Sequence, residues 1–256
     1  MTHVPPTRPV PWLEPGQAFP PADEAWGPDD PAPGLLAAGG VLDVPTLVAA
    51  YSQGIFPWYS TGQPILWWST DPRMVLAPAS FRLHRSLRKE IRSLRRQGRL
   101  EIRIDHDFPR VIRHCAQTRR GGQLGTWILP SMIDAYIRLH RSGLAHSVET
   151  WIDGKLDGGL YCVSLGGMVF GESMFSHRSN ASKMALAALV ATSKAAGVTM
   201  IDCQQETRHL ASMGASPVTR SSFLQRLRLA LQQPAPSWHF DPVYWDQLFD
   251  GHHPDA

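Results

Sequence analysis

Residues 145–176 hold three β-rich runs, HSVETWI, LYCVSL and MVFGESMF, and nothing else in the chain constrains its architecture as tightly. The first two are joined through Asp153-Gly154 and the last two by Gly166-Gly167. Both dipeptides suit tight turns that need positive φ, so three consecutive antiparallel strands follow. Ser179 or Asn180 then caps an Ala-rich helix that runs to about Ala195 and closes at Gly197. Residues 198–204 read as a further strand and residues 220–232 as a terminal helix. Meander, helix, strand and helix make an α+β layout.

Upstream, residues 81–99 carry Leu83, Leu87, Ile91 and Leu94 at spacings of three and four, which predicts a helix with one apolar stripe. Arg85, Arg88, Arg92, Arg95 and Arg99 recur the same way on another face, flanked by Lys89 and Arg96, with only Glu90 to offset them. A solvated face normally mixes signs through i,i+4 pairs. This one favours an anionic partner, and closely spaced arginines suit a phosphate backbone. A strand over residues 100–104, a helix over 108–119, a flexible glycine loop over 121–125 and a helix over 131–142 come next.

Residues 1–33 contain ten prolines, which exclude a regular helix or an internal strand and predict an extended tail draped in part over the fold. Residues 45–53 read as a short helix with Pro45 in its first turn, stopped by Gly54. Residues 55–73 are loop-rich and hold Trp58, Tyr59, Trp67 and Trp68. Trp67 suits a core position, and Trp58 the wall of a slot for a flat ligand.

No apolar stretch approaches the roughly 20 residues that span a bilayer, and the start lacks the order of a secretory signal. Cys115, Cys162 and Cys203 are isolated, with neither disulfide framework nor zinc spacing. The cytoplasm is the expected compartment. No Walker loop, HExxH, GxGxxG or GxSxG occurs, and Ser173 has no placeable His/Asp partner. Neither a metal nor a cofactor is expected.

Chemistry concentrates in two places. In the strand ending at Gln204, alternation puts Asp202 and Gln204 on one face and Cys203 on the other. Polar groups there need partners or solvent, since burying them unpaired costs about 1–3 kcal/mol each. They serve equally to tie down a loop or to form one wall of a polar site. Glu172, beside Gly171, poses the same choice, and if it neighbours Asp202 two carboxylates meet in a cleft suited to a cationic group. Met168, Met174 and Phe175 offer an apolar pocket nearby.

Element order is similar to the core of acyltransferases of the GNAT type. More specifically, the runs GLLAAGGVL (34–42), AYSQGIFPWYS (50–60), PILWWSTDPR (64–73), GTWI (125–128), AHSVE (145–149), GESMFS (171–176), NASK (180–183), IDCQ (201–204) and HLASMGA (209–215) resemble, in order, the signature segments of the leucyl/phenylalanyl-tRNA–protein transferases. The resemblance implies a GNAT-like domain over 76–256, a small N-terminal lobe over 34–75 and the proline-rich tail over 1–33. It implies transfer of Leu or Phe, less readily Met, from aminoacyl-tRNA to the N-terminal Arg or Lys of acceptor proteins, marking them for N-degron degradation. It assigns catalysis and acceptor binding to Glu172, Asp202 and Gln204. The tRNA 3′-adenosine site falls at Trp58 and Trp127, with Tyr51 nearby, and the aminoacyl pocket includes Met174. The tRNA backbone is expected on Arg85, Arg88, Lys89, Arg92, Arg95 and Arg96.

An aminoacyl ester is already activated, so positioning and charge stabilisation suffice. On this view Gln204 orients the attacking amine, Asp202 polarises Gln204 or helps take up a proton, and Glu172 holds the cationic residue. Two other classes fit parts of the sequence. An acyltransferase using acyl-CoA lacks its R/QxxGxG/A loop here, and a non-catalytic RNA-binding module has no use for an acidic site beside an apolar pocket.

Overall fold

A computed structural model describes residues 9–118 and 128–250. From residue 9 the proline-rich start lies along the fold. β1 (Trp12–Leu13) pairs in parallel with β2 (Leu35–Gly39), while Leu13, Phe19, Ala22 and Ala25 are buried. β1 is an edge strand, where flanking prolines remove no ladder hydrogen bond. α1 (Val44–Ser52) is capped by Asp43, whose carboxylate accepts from the Thr46 amide at 2.8 Å.

Residues 55–73 are less irregular than their sequence predicts. β3 (Phe56–Pro57) and β4 (Leu66–Trp68) join β1 and β2 in a sheet of order β1-β2-β4-β3, and β5 (Arg73–Leu76) begins a second sheet. Strands of two or three residues are too short for a period to register. Trp67 is fully buried among them, its indole N–H donating to the Gly39 carbonyl at 2.9 Å and its ring edge-on to Phe19.

The helix expected over residues 81–99 is shorter, α2 (Arg85–Arg96). Phe81 and Leu83 are buried while Arg82 and His84 are exposed, so the approach to α2 follows the period of extended chain. β6 (Leu100–Ile104), α3 (Phe108–Gln117) and α4 (Pro130–Arg141) follow as anticipated. The meander comprises β7 (Ala145–Ile152), β8 (Lys155–Leu165) and β9 (Met168–Ser176). Its turns take the required conformation, with φ of 54° and 73° at Asp153 and Gly154 and 53° at Gly166.

α5 (Ala181–Ala195) departs from its expected cap. Asn180 stands at the boundary with φ of 67°, yet its amide donates to Glu90 of α2 at 2.8 Å. The Ser176 hydroxyl accepts from the Ser182 amide instead, at 3.2 Å. β10 (Ile201–Gln204), α6 (Arg208–Ser212), β11 (Ser216–Val218), α7 (Arg220–Leu231) and α8 (Val243–Asp250) complete the described residues, so the helix expected to be terminal is followed by another.

The second sheet has the order β11-β5-β10-β9-β8-β7-β6. β10 runs parallel to β9, across the α5 crossover, and every other neighbour is antiparallel. Alternation along β8 sends Tyr161, Val163 and Leu165 to one core and Leu160 and Cys162 to the other. α1, α3, α4 and α7 cover the first face, and α2, α5 and α8 the second. The fold is α+β and acyltransferase-like, with a small additional sheet at the N-terminal end. Among the described residues no helix is long and apolar enough to cross a membrane.

Candidate active site

Two β-bulges on neighbouring strands create the site. Along β9, Gly171 faces Cys162 and Ser173 faces Tyr161, which leaves Glu172 as the extra residue. Along β10, Asp202 faces Val75 and Gln204 faces Met74, which leaves Cys203 as the extra residue. β9 and β10 stay paired only at Val169–Ile201 and Phe170–Asp202. The parallel strands therefore part where both bulges sit, and a bulge re-aims the side chains it carries. This overturns the expectation that Asp202 and Gln204 share a face. Gln204 takes φ of 60° and turns toward Glu172, whereas Asp202 turns toward Arg73.

Glu172 collects donors. Its Oε1 accepts from the Tyr51 hydroxyl at 2.7 Å and from Gln204 Nε2 at 2.9 Å. The Tyr136 hydroxyl lies 3.3 Å from Oε2 and in close contact with the Tyr51 hydroxyl. α1 supplies Tyr51 and α4 supplies Tyr136, so two helices converge on one carboxylate. Burial raises the Glu172 pKa to about 7; the Tyr51 hydrogen bond opposes the rise and the Asp202 charge adds to it. With Glu172 ionised, Gln204 must present its NH2 to the carboxylate, and the amide oxygen is the group left to accept from a ligand.

Asp202 is fully enclosed. Arg73 grips it with two bonds, Nε to Oδ1 at 2.8 Å and Nη2 to Oδ2 at 2.6 Å, and neither side chain is exposed (0%/0%). Oδ1 also accepts the Gln204 backbone N–H at 2.9 Å. Arg73 in turn lies between the rings of Phe56 and Phe223, at 4.7 and 4.6 Å.

Beside this polar pair opens a cavity of about 450 Å³, within the range of small-molecule sites. Trp58, Leu160, Met174, Leu186, Leu189 and Ile201 give it apolar walls, and Glu172, Cys203 and Gln204 also line it. Trp58 is half-buried and tilted against Trp68 at 5.4 Å. Tyr51 is buried behind Glu172 and is not part of the lining. Trp127 lies outside the described residues. Among the described residues, no group of three or more His, Cys, Asp and Glu side chains is placed to hold a metal.

The arginines of α2 do not line the cavity. Arg85, Lys89, Arg92 and Arg96 are exposed, while Arg88 and Arg95 are half-buried. Part of the cationic face is already covered by α8: Arg95 bonds Asp246 at 3.0 Å, and Arg92 lies over the Phe249 ring at 4.8 Å.

Sequence reasoning missed two members of the site. Tyr136 lies within the helix expected over residues 131–142 and was not singled out, though a buried phenol calls for a hydrogen-bond partner. Arg73, in the apolar run RMVL, is the partner that a buried Asp202 demands.

The sequence pattern of the leucyl/phenylalanyl-tRNA protein transferase family matches residues 75–228, and that of the family's N-terminal domain matches residues 40–71. The chain is 59% identical over 247 residues to the leucyl/phenylalanyl-tRNA–protein transferase of a Polaromonas species, covering 96% of this chain and 97% of that one. It is 59% identical to the transferase of Albidiferax ferrireducens, covering 97% of each chain. It is 56% identical to that of Leptothrix cholodnii, covering 94% of this chain and 96% of that one.

Proposed function

This chain belongs to the leucyl/phenylalanyl-tRNA–protein transferase family, enzymes that pass an aminoacyl group from tRNA to protein, and from that premise we propose its substrates and mechanism. The donors are Leu-tRNA and Phe-tRNA, with Met-tRNA used less readily, and the acceptors are proteins that begin with Arg or Lys. The product carries a new apolar N-terminus, which marks it for N-degron degradation in a bacterial cytoplasm.

The observation that carries this reading is the Glu172–Gln204 pair set beside an apolar cavity. The Leu or Phe side chain occupies the cavity against Met174, Leu186 and Leu189. Trp58 stacks on the terminal adenine, and Trp127 is assigned to the same base by the family resemblance. The ester carbonyl then sits near Gln204, whose amide oxygen accepts from the attacking α-amine. Nitrogen attacks the carbonyl carbon, the C–O bond to the ribose 3′-oxygen breaks, and one amine proton passes to that oxygen. No covalent enzyme intermediate is needed. Burial keeps the Cys203 thiol on the cavity wall protonated, which suits it poorly to form a thioester.

Asp202 is enclosed by Arg73 and does not line the cavity, so it takes no proton from the amine. It acts by fixing Gln204. Glu172 keeps Gln204 in the required orientation and adds the negative charge that attracts a cationic N-terminal residue. The exposed arginines and lysine of α2 bind tRNA phosphates with little sequence readout.

The reaction is tested by following labelled Phe or Leu from charged tRNA to peptides that begin with Arg, Lys or Ala. Labelling of the first two alone is expected. Equal labelling of all three removes the assigned acceptor class, and no transfer to any removes the reaction.

A further inference from the structure

Gln204 cannot reach Glu172 by strand geometry alone. It sits at φ of 60°, in the left-handed region that is unfavourable for a residue with a side chain, one residue past a bulge. Something must hold the turn, and the segment 70–73 supplies two fastenings. The Thr70 hydroxyl donates to the Gln204 carbonyl at 3.2 Å. Arg73 grips both oxygens of Asp202, and Asp202 Oδ1 holds the Gln204 N–H.

The geometry points to Arg73 as a positioning residue of the transfer reaction: clamped between Phe56 and Phe223, it locks Asp202 so that the left-handed turn aims the Gln204 amide at Glu172 and at the substrate amine. This deepens the proposed function and rests on it. Arg73 touches no substrate, since it lies behind Asp202 with no exposed surface. Its planar fork is what matters. Lysine keeps the charge but offers one nitrogen to two oxygens and no flat face to two rings. Phe56 belongs to β3 and Phe223 to α7, so the small sheet and the second sheet's helical cover meet on this one guanidinium.

The test compares Arg73→Lys, Thr70→Val and Ile152→Ala with wild type, using Phe-tRNA and an Arg-starting peptide. Ile152 is a buried residue at the end of β7, outside the site, and serves as a control for lost stability. Tm, kcat and KM for aminoacyl-tRNA are measured for each. Arg73→Lys is expected to lower kcat at least tenfold, on the scale reported for small misplacements of reacting groups, with KM changed by less than about threefold. Thr70→Val, which leaves no buried charge unpaired, lowers kcat in the same sense by a smaller factor. Ile152→Ala keeps kcat although its Tm falls. Unchanged kcat in Arg73→Lys overturns the proposal. So does a kcat loss that Ile152→Ala shares at matched Tm, because Arg73 would then be structural only. Wild-type transfer in the same assay separates the two readings: its absence removes the reaction, whereas the variants test Arg73 alone.

Discussion

At the scale of single residues, the site turns on whether Glu172 is charged. Tyr51, Tyr136 and Gln204 all point donors at it, yet burial lifts its pKa from 4.5 to about 7. A carboxyl raised in the folded state contributes stability that is fully present below 4.5 and lost as pH rises through 7. The linkage is on the order of 3–4 kcal/mol. Glu172→Gln should therefore flatten the decline in stability between pH 5 and pH 7.5, as read by chemical denaturation at the two values. Activity runs the other way. The ionised form fixes the Gln204 amide, so kcat rises through pH 7 in wild type, and Glu172→Gln loses that limb together with about a hundredfold of kcat. An unchanged profile in Glu172→Gln would assign the limb to the acceptor's own amine, which titrates near 7.7–8.0. The sequence marked Glu172, Asp202 and Gln204 as polar residues in apolar strands that needed an explanation. Which of them face the cavity was not legible, because alternation fails at a bulge and no local pattern announced either one.

Elements were read best where their signals were local. The hairpin dipeptides, the Pro45 first turn and the Ala-rich α5 all follow from rules spanning a few residues. The strands β3 and β4 escaped because they are held by the sheet they join. For α2, its pattern identified the buried stripe Leu87, Ile91 and Leu94 correctly. Its cationic face was legible as composition, but its partial cover was not, since α8 lies some 150 residues along the chain, as the Arg95–Asp246 hydrogen bond records. The face accordingly divides. Arg85 and Lys89 are exposed and free of α8 in the contacts described, whereas Arg92 and Arg95 are engaged by it. Reversing Arg85 and Lys89 to Glu should raise KM for tRNA about tenfold and lower the salt slope of binding by about 2, with kcat retained. Titrating KM against salt concentration checks this, and an unchanged slope would return the helix to an ordinary solvated face.

Across the whole molecule, the N-terminal residues and the site share one structural chain. Arg220, at the start of α7, is buried, and its guanidinium donates to the carbonyls of Ala25 at 3.1 Å and Trp26 at 3.3 Å. The same helix presents Phe223 to Arg73, which holds Asp202. Upstream, Leu13 and Phe19 cover the small sheet, with Phe19 against Trp67. Ten prolines predict that residues 1–33 form neither a regular helix nor an internal strand, and in the described part, residues 9–33, the strand β1 lies at a sheet edge. That they supply acceptors for an arginine nearly two hundred residues away was not legible, because a single long-range bond leaves no period in the sequence. A chain that starts at residue 34 would lose the buried side chains of Leu13 and Phe19, each about 1.5–3 kcal/mol, together with the smaller Ala22 and Ala25, and leave the Arg220 guanidinium without those carbonyls. At about 2–4 °C per kcal/mol for a chain of this size, Tm should fall by roughly 10 °C or more. Because α7 carries one of the two rings that clamp Arg73, kcat should fall with it at temperatures where the shortened chain is still folded. Thermal scans and transfer assays on the two chains, run at the same fraction folded, decide the matter. A Tm within about 2 °C of the full chain would mean that residues 9–33 decorate the small sheet without supporting it. A lowered Tm with unchanged kcat would confine their role to stability and cut the link from Arg220 to the site.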